Sequence, residues 1–154
     1  MDRPGDVMLS ARVTVDFAGT FDAGVLCLWE SEECWAKLCF EYSPRGQPMV
    51  VSVVTRGHSD DANAIAIDSP RVWLRVARIC VAYAFHYSTD GVYWHFVRLF
   101  RLGDDGRARL GMLAQAPVGE GCTRASTTCG SPARPPGTSA TGADRALRPT
   151  APCG

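Results

Sequence analysis

The chain has 154 residues, 46% of them hydrophobic, and its 16 basic and 16 acidic side chains give a formal charge of zero. These values are typical of one folded domain with an apolar core. A neutral chain has no overall field that would attract nucleic acid or an anionic membrane, so we expect neither as a partner.

Two further features argue against export and membrane insertion. Residues 1–6 are polar with no apolar signal core behind them, and the most apolar stretch, Val72–Phe85, is interrupted by Arg75 and Arg78. That stretch is also too short to span a bilayer as a helix. We therefore expect a cytoplasmic protein.

Runs rich in valine and aromatic residues predict eight β-strands, separated by regular turn signals. The clearest signal is Asp90-Gly91, which can supply the positive φ angles of a tight hairpin. Because no helical period interrupts the pattern, the sequence predicts an all-β, antiparallel β-sandwich or jelly roll over residues 7–121. The predicted strands are Met8–Phe17, Val25–Trp29, Trp35–Tyr42, Met49–Thr55, Val72–Arg78, Val81–Ser88, Trp94–Leu99 and Ala108–Gln115.

The composition changes near the C-terminus. Of the 32 residues from Thr123 onward, 24 are Ala, Gly, Pro, Ser or Thr. Such a segment buries too little apolar surface to offset its ordering entropy, so we predict a disordered tail over residues 122–154.

Seven cysteines invite a metal or disulfide interpretation, but their spacing does not favour one. No Cys-x-x-Cys motif occurs, and Cys34 and Cys39 would point to opposite faces of one strand. The odd count also argues against a disulfide framework. We expect reduced thiols, no metal site and no cofactor.

Strand alternation places polar and aromatic side chains together on what we take to be one exposed sheet surface. Aromatic rings beside charged groups can stack on and hydrogen-bond a polar ligand such as a sugar. The same side chains could instead be rim residues with no ligand. The candidate ligand-binding residues are Trp35, Lys37, Glu41, Trp73, Arg75 and His86.

Several segments carry a resemblance to a known family. They are Gly24–Trp29, Glu33–Lys37, Val51–Asp60, Val72–Arg78, Tyr87–Trp94 and Gly111–Gly121. In collinear order they resemble a domain-of-unknown-function family related to the fungal regulator-of-enolase protein, within the concanavalin A-like lectin/glucanase superfamily. The resemblance implies a β-sandwich and little chemistry. It also implies that this sandwich is incomplete at both ends.

The resemblance suggests an origin for the tail. Back-translating residues 123–133 with GC-rich codons and shifting the frame gives Ala-Arg-Phe-Asp-Asp-Leu-Arg-Leu, which is similar to the family's last strand. We therefore interpret the tail as the product of a frameshift just after Gly121.

The sequence favours a non-catalytic binding or regulatory module, whose partner is a carbohydrate or an unknown protein. Glycan hydrolysis needs two facing carboxylates, and Glu41 has no acidic partner two residues on. His58 adjoins Ser59 and Asp60, but adjacent residues do not ordinarily converge into a triad, so we predict no catalytic residue. A glycan-active enzyme and a truncated fragment without independent function remain the alternatives.

Overall fold

The computed structural model describes residues 6–104 and 106–118, and the backbone of residues 125–129. The described residues form two five-stranded antiparallel sheets, which confirms the predicted β-sandwich. None of the described residues forms a helix long and apolar enough to cross a bilayer. The strands are β1 (Val7–Val15), β2 (Ala23–Ser31), β3 (Cys34–Tyr42), β4 (Pro48–Arg56), β5 (His58–Ala66), β6 (Arg71–Ile79), β7 (Ala82–Ser88), β8 (His95–Phe100), β9 (Arg109–Gln115) and β10 (Ala125–Cys129).

Sheet A has the strand order β10-β1-β6-β7-β8, and sheet B has the order β5-β4-β3-β2-β9. In each central strand every second side chain points to the facing sheet, as the two-residue period of a strand requires. These inner faces form the core, in which Leu38 and Phe40 of sheet B join Val13, Leu74 and Phe85 of sheet A. All five are at most 1% exposed.

The turn between β7 and β8 is held by side-chain to backbone hydrogen bonds. Asp90 Oδ1 accepts from the backbone N–H groups of Val92 and Tyr93 at 2.8 and 2.9 Å. Gly91 has a φ of 78°, which confirms the positive angle predicted there.

Two strands lie where the sequence predicted none. Strand β5 occupies His58–Ala66, between the predicted strands Met49–Thr55 and Val72–Arg78; it forms because its backbone pairs with β4 at the edge of sheet B. Strand β10 at Ala125–Cys129 pairs with β1 inside the segment predicted as a disordered tail, and the tail bounds of 122–154 stay a prediction. Residues 119–124 and 130–154 lie outside the described part, and the frameshift stays a prediction.

The cysteines only partly follow the prediction. Cys27, Cys34 and Cys39 are free thiols. Cys80 is disulfide-bonded, which corrects the expectation that every cysteine is reduced. The side chains of Cys122, Cys129 and Cys153 lie outside the described part. No group of three potential metal ligands occurs among the described residues.

Candidate ligand-binding cleft on sheet B

The six predicted ligand-binding residues do not share one surface. Trp35, Lys37 and Glu41 lie on the outer face of β3 in sheet B, since the alternating Ala36 and Leu38 belong to the core. The remaining three lie on the outer face of sheet A: Trp73 and Arg75 on β6, and His86 on β7. A single mixed surface is therefore wrong, because alternation along a strand does not reveal which sheet the strand joins.

The outer face of sheet B contains a cavity of about 320 Å³. Lys37 and Glu41 line it, but Trp35 is not among the lining residues; its ring lies 6.0 Å from Lys37 Nζ. The lining residues, both polar and apolar, are Phe21, Lys37, Glu41, Val51, Val53, Asp61, Gln115 and Pro117.

Below the polar lining, the outer face of sheet B has a small apolar cluster of its own. It consists of Ala23, Val25, Cys39 and Val51, each at most 7% exposed. These side chains point away from the main core, and because Val51 also lines the cavity, the cluster forms its apolar floor. Burial raises the pKa of Cys39 to about 12, so this thiol stays protonated and contributes no charge.

The amide of Gln115 connects the polar groups of the cavity. Lys37 Nζ donates to Gln115 Oε1 at 3.2 Å. Gln115 Nε2 donates to Glu41 Oε2 at 3.3 Å and to the carbonyl of Phe21 at 3.1 Å. Gln115 is therefore fixed on three sides, and it orients a cation and a carboxylate that lie on the same strand.

The backbone of Phe21 is held in an uncommon conformation at the cavity. Its φ is 68°, in the left-handed region that bulky residues rarely adopt. The Phe21 N–H donates to the carbonyl of Tyr42 at 2.8 Å, and its carbonyl accepts from Gln115. Local strain of this kind is concentrated at binding sites and persists only where neighbouring contacts enforce it.

Two carboxylates face the same cavity. Asp61 on β5 pairs with Val53, which pairs with Lys37, so a cation and an anion lie in one cross-strand row. Burial raises the pKa of Glu41, nearby Asp61 raises it further, and Lys37 partly opposes both effects. The sequence pattern missed Asp61, Gln115 and Phe21, because these residues reach the cavity through pairing between distant segments.

His58, the histidine beside Ser59 and Asp60, lies outside the cavity. It is exposed at the start of β5, opposite Arg56, and does not line the cavity. Its neighbour Ser59 shares a 2.8 Å hydrogen bond with the Thr55 hydroxyl, so the Ser59 side chain stabilises the pairing of β4 and β5. The expectation that these adjacent residues form no triad stays a prediction.

A family model for a protein of unknown function, DUF1349, matches residues 1–129. The chain belongs to the DUF1349 family. This confirms the predicted membership of a domain of unknown function, whereas the link to a regulator of enolase stays a prediction. No curated protein matches the sequence significantly.

Solved structures share the fold of this DUF1349 domain. A functionally unknown protein from Saccharomyces cerevisiae is 24% identical with a TM-score of 0.65, over 80% of this chain and 63% of that one. The GH43 protein BlXynB from Bacillus licheniformis is 14% identical with a TM-score of 0.63, over 80% of this chain and 26% of that one. A xylan β-1,4-xylosidase from Bacillus halodurans is 15% identical with a TM-score of 0.60, over 71% of this chain and 24% of that one. The chain thus spans 63% of the yeast protein and about a quarter of each of the other two.

Proposed function

We propose that this domain is a non-catalytic binding module that holds a saccharide in the cavity of sheet B. The observation that carries the proposal is the Gln115 network, which fixes Lys37 and Glu41 above an apolar floor. Ligand sites are typically concave and mostly apolar, with a few polar groups placed to fix orientation.

The chemistry of the lining suits a polyhydroxylated ligand. Sugar hydroxyls both donate and accept, so they can accept from Lys37 and donate to Glu41 or Asp61. The apolar face of a sugar ring can lie against Val53 and Phe21, which line the same space. A cavity of about 320 Å³ is at the small end of the usual range for ligand sites, which favours a short segment of a chain.

The structural neighbours indicate which saccharide to test first. One is a xylan β-1,4-xylosidase, although the likeness covers 24% of that enzyme and shows the fold alone. We therefore choose xylohexaose as the first probe, with laminarihexaose as a second sugar of equal length.

The test is calorimetric titration of the protein and three variants with xylohexaose. Lys37→Ala and Gln115→Ala should each weaken binding at least about tenfold, because a hydrogen bond to a charged group is worth about 1.5–3 kcal/mol. The matched control is Val92→Ala in the turn between β7 and β8, which should bind normally because that side chain is 83% exposed and does not line the cavity. Thermal melts establish that each variant is folded. No binding of either sugar, or binding by both cleft variants as tight as that of the unmodified protein, would refute the proposal.

One observation favours a second candidate, a glycan-active enzyme. Glu41 and Asp61 line the same cavity, which supplies the paired carboxylates that the sequence lacked. A carboxyl with a raised pKa suits the general acid, and a second carboxylate can activate water or attack the sugar. Reducing-sugar release from arabinoxylan tests this role. Glu41→Gln and Asp61→Asn should each abolish release while xylohexaose still binds, and absence of release by the unmodified protein would exclude it.

A further inference from the structure

The two sheets differ in charge although the chain as a whole is neutral. The five strands of sheet A contain no aspartate or glutamate. Sheet B mixes both signs, with Glu30, Glu41, Asp60 and Asp61 among its strands. Sheet A is therefore a positively charged layer, and its arginines are Arg12, Arg71, Arg75, Arg78 and Arg98.

Three of these arginines share the outer face of sheet A. Arg71, Trp73 and Arg75 alternate along β6, and Arg12 of β1 pairs directly with Trp73. Alternate residues of a strand lie about 6.7 Å apart, so the Cα atoms of Arg71 and Arg75 are separated by about 13 Å. The Cα atom of Arg12 lies diagonal to both, at about 7–8 Å from each. The three arginines thus lie on one surface with their Cα atoms within about 13 Å of one another.

The other two arginines of the sheet are engaged at its margins. Arg78 donates to the carbonyl of Gly106 at 3.0 Å. Arg98 donates to the backbone carbonyl of Asp60 at 3.0 Å, which ties β8 to the edge of sheet B. These contacts are structural, so the argument for a binding surface rests on Arg12, Arg71 and Arg75.

Arg75 is held rigidly and faces no carboxylate in the described part of the chain. Its Nε donates to the Ser10 hydroxyl at 2.8 Å. Its guanidinium carbon lies 3.5 Å from the centroid of the Trp94 ring, which makes a cation–π contact. Burial lowers the pKa of Arg75 to about 10, since none of the described residues places an anion beside it. A half-buried, oriented cation with no counter-ion among the described residues is suited to accept an anion.

Apolar surface adjoins these cations. Phe96 of β8 is 49% exposed and lies in the same cross-strand row as Arg75 and His86. Its ring meets the His86 imidazole edge to face at 5.8 Å. An anionic ligand with apolar ring faces could therefore contact the arginines and this aromatic ring together.

We propose that the outer face of sheet A is a second binding site, which takes an acidic polysaccharide. Carboxylates of its uronic-acid units pair with Arg75 and Arg12, and the apolar face of a sugar ring lies against Phe96. This site is on the opposite side of the sandwich from the cleft, and it does not depend on the function proposed for the cleft.

Nucleic acid fits this surface less well. Strong nonspecific binding to nucleic acid needs many phosphate contacts, whereas three arginines of the described strands face outward here. Single strands also need open aromatic faces for their bases. The Trp94 face is occupied by Arg75, and a Cβ added at Gly91 would lie 3.0 Å from Trp73 Nε1, so the hairpin turn covers that ring.

The test measures binding to polygalacturonate by affinity electrophoresis, with fully methyl-esterified polygalacturonate as the matched uncharged probe. The unmodified protein should bind the acidic form only, and added salt should weaken binding. Arg12→Gln and Arg75→Gln should each reduce affinity about tenfold, because each removes one charge-assisted hydrogen bond. Arg12 is exposed, so its substitution remains informative even if Arg75→Gln does not fold.

Controls separate this site from general charge and from the cleft. Arg56→Gln removes an exposed arginine of sheet B, and Lys37→Ala removes the cation of the cleft; both should bind polygalacturonate normally. Equal binding of the acidic and esterified forms, a loss with Arg56→Gln as large as with Arg12→Gln, or tighter binding of single-stranded DNA would each overturn the proposal. Loss with Lys37→Ala would instead assign the acidic sugar to the cleft.

Discussion

Gly24 of β2 offers a sharp test of how closely the two sheets pack. It lies on the inner face of sheet B, opposite β1. A Cβ added there would overlap Cγ1 of Val13 and lie 3.3 Å from Cγ2 of Val15. Both valines are 1% exposed in the middle of sheet A, so neither can move without disturbing the core. We therefore expect Gly24→Ala to destabilise the fold.

The magnitude follows from two opposing effects. Adding a methyl group to a well-packed core costs about 1–3 kcal/mol. Replacing glycine also reduces the entropy of the unfolded chain, which offsets about 0.4–1 kcal/mol. The net loss in the free energy of unfolding should be about 1–2 kcal/mol. For a chain of this length that lowers Tm by roughly 2–8 °C.

Gly111 provides the matched control in the neighbouring strand. A Cβ added at Gly111 meets nothing within 4 Å. Gly111→Ala should therefore show the entropy effect alone and stabilise the protein by about 0.4–1 kcal/mol. Urea denaturation followed by tryptophan fluorescence measures both variants.

A double-mutant cycle then isolates the clash. Val13→Ala removes the overlapping Cγ1, so Gly24→Ala should cost much less in that background than alone. If Gly24→Ala is as stable as Gly111→Ala, or if its cost is unchanged when Val13 is alanine, the close approach of β1 and β2 is wrong.

Three further predictions concern the hairpin, the thiols and the core. Hydrogen bonds from the backbone of Val92 and Tyr93 hold the pKa of Asp90 below its ordinary 3.8. The stabilising effect of the Asp90 carboxylate is therefore present above about pH 4, and it is lost as the pH falls through the lower pKa of the folded state. The loss of stability caused by Asp90→Ala in urea melts should be largest at pH 7 and should shrink below pH 4, and a loss that grows in acid contradicts this. Because burial raises the pKa of Cys39 to about 12, iodoacetamide at pH 8 should label it only after denaturation, and mass spectrometry showing rapid native labelling would oppose this. Phe85→Ala removes a fully buried ring 4.7 Å from that of Phe100 and should cost about 3–5 kcal/mol in chemical denaturation, whereas a cost below 1 kcal/mol would place Phe85 outside the core.

Local physics explains which strands the sequence could predict. Strands β6, β7 and β8 are rich in β-branched and aromatic residues, and the turn between β7 and β8 needs a positive φ that Gly91 supplies. Strand β5 carries no such signal. Its residues are all exposed, and it is a strand because the edge of β4 offers it backbone hydrogen bonds.

Local backbone geometry likewise explains only part of the candidate site. The two-residue period correctly placed Lys37 and Glu41 together on the outer face of one strand, because that period depends only on local backbone geometry. It could not show that Arg75 belongs to the opposite sheet, since strand order is set by pairing between distant segments.

By itself, the sequence determined the antiparallel β class, the β7–β8 hairpin and the side of each predicted strand that carries its polar residues. Only the tertiary structure decided which of those sides meet. Gln115 lies 78 residues from Lys37 along the chain, yet it bridges Lys37 and Glu41 because β9 and β3 both pair with β2. Likewise, neutral overall composition concealed a sheet whose strands hold arginines and no acids, because charge segregation depends on how the strands are sorted into sheets.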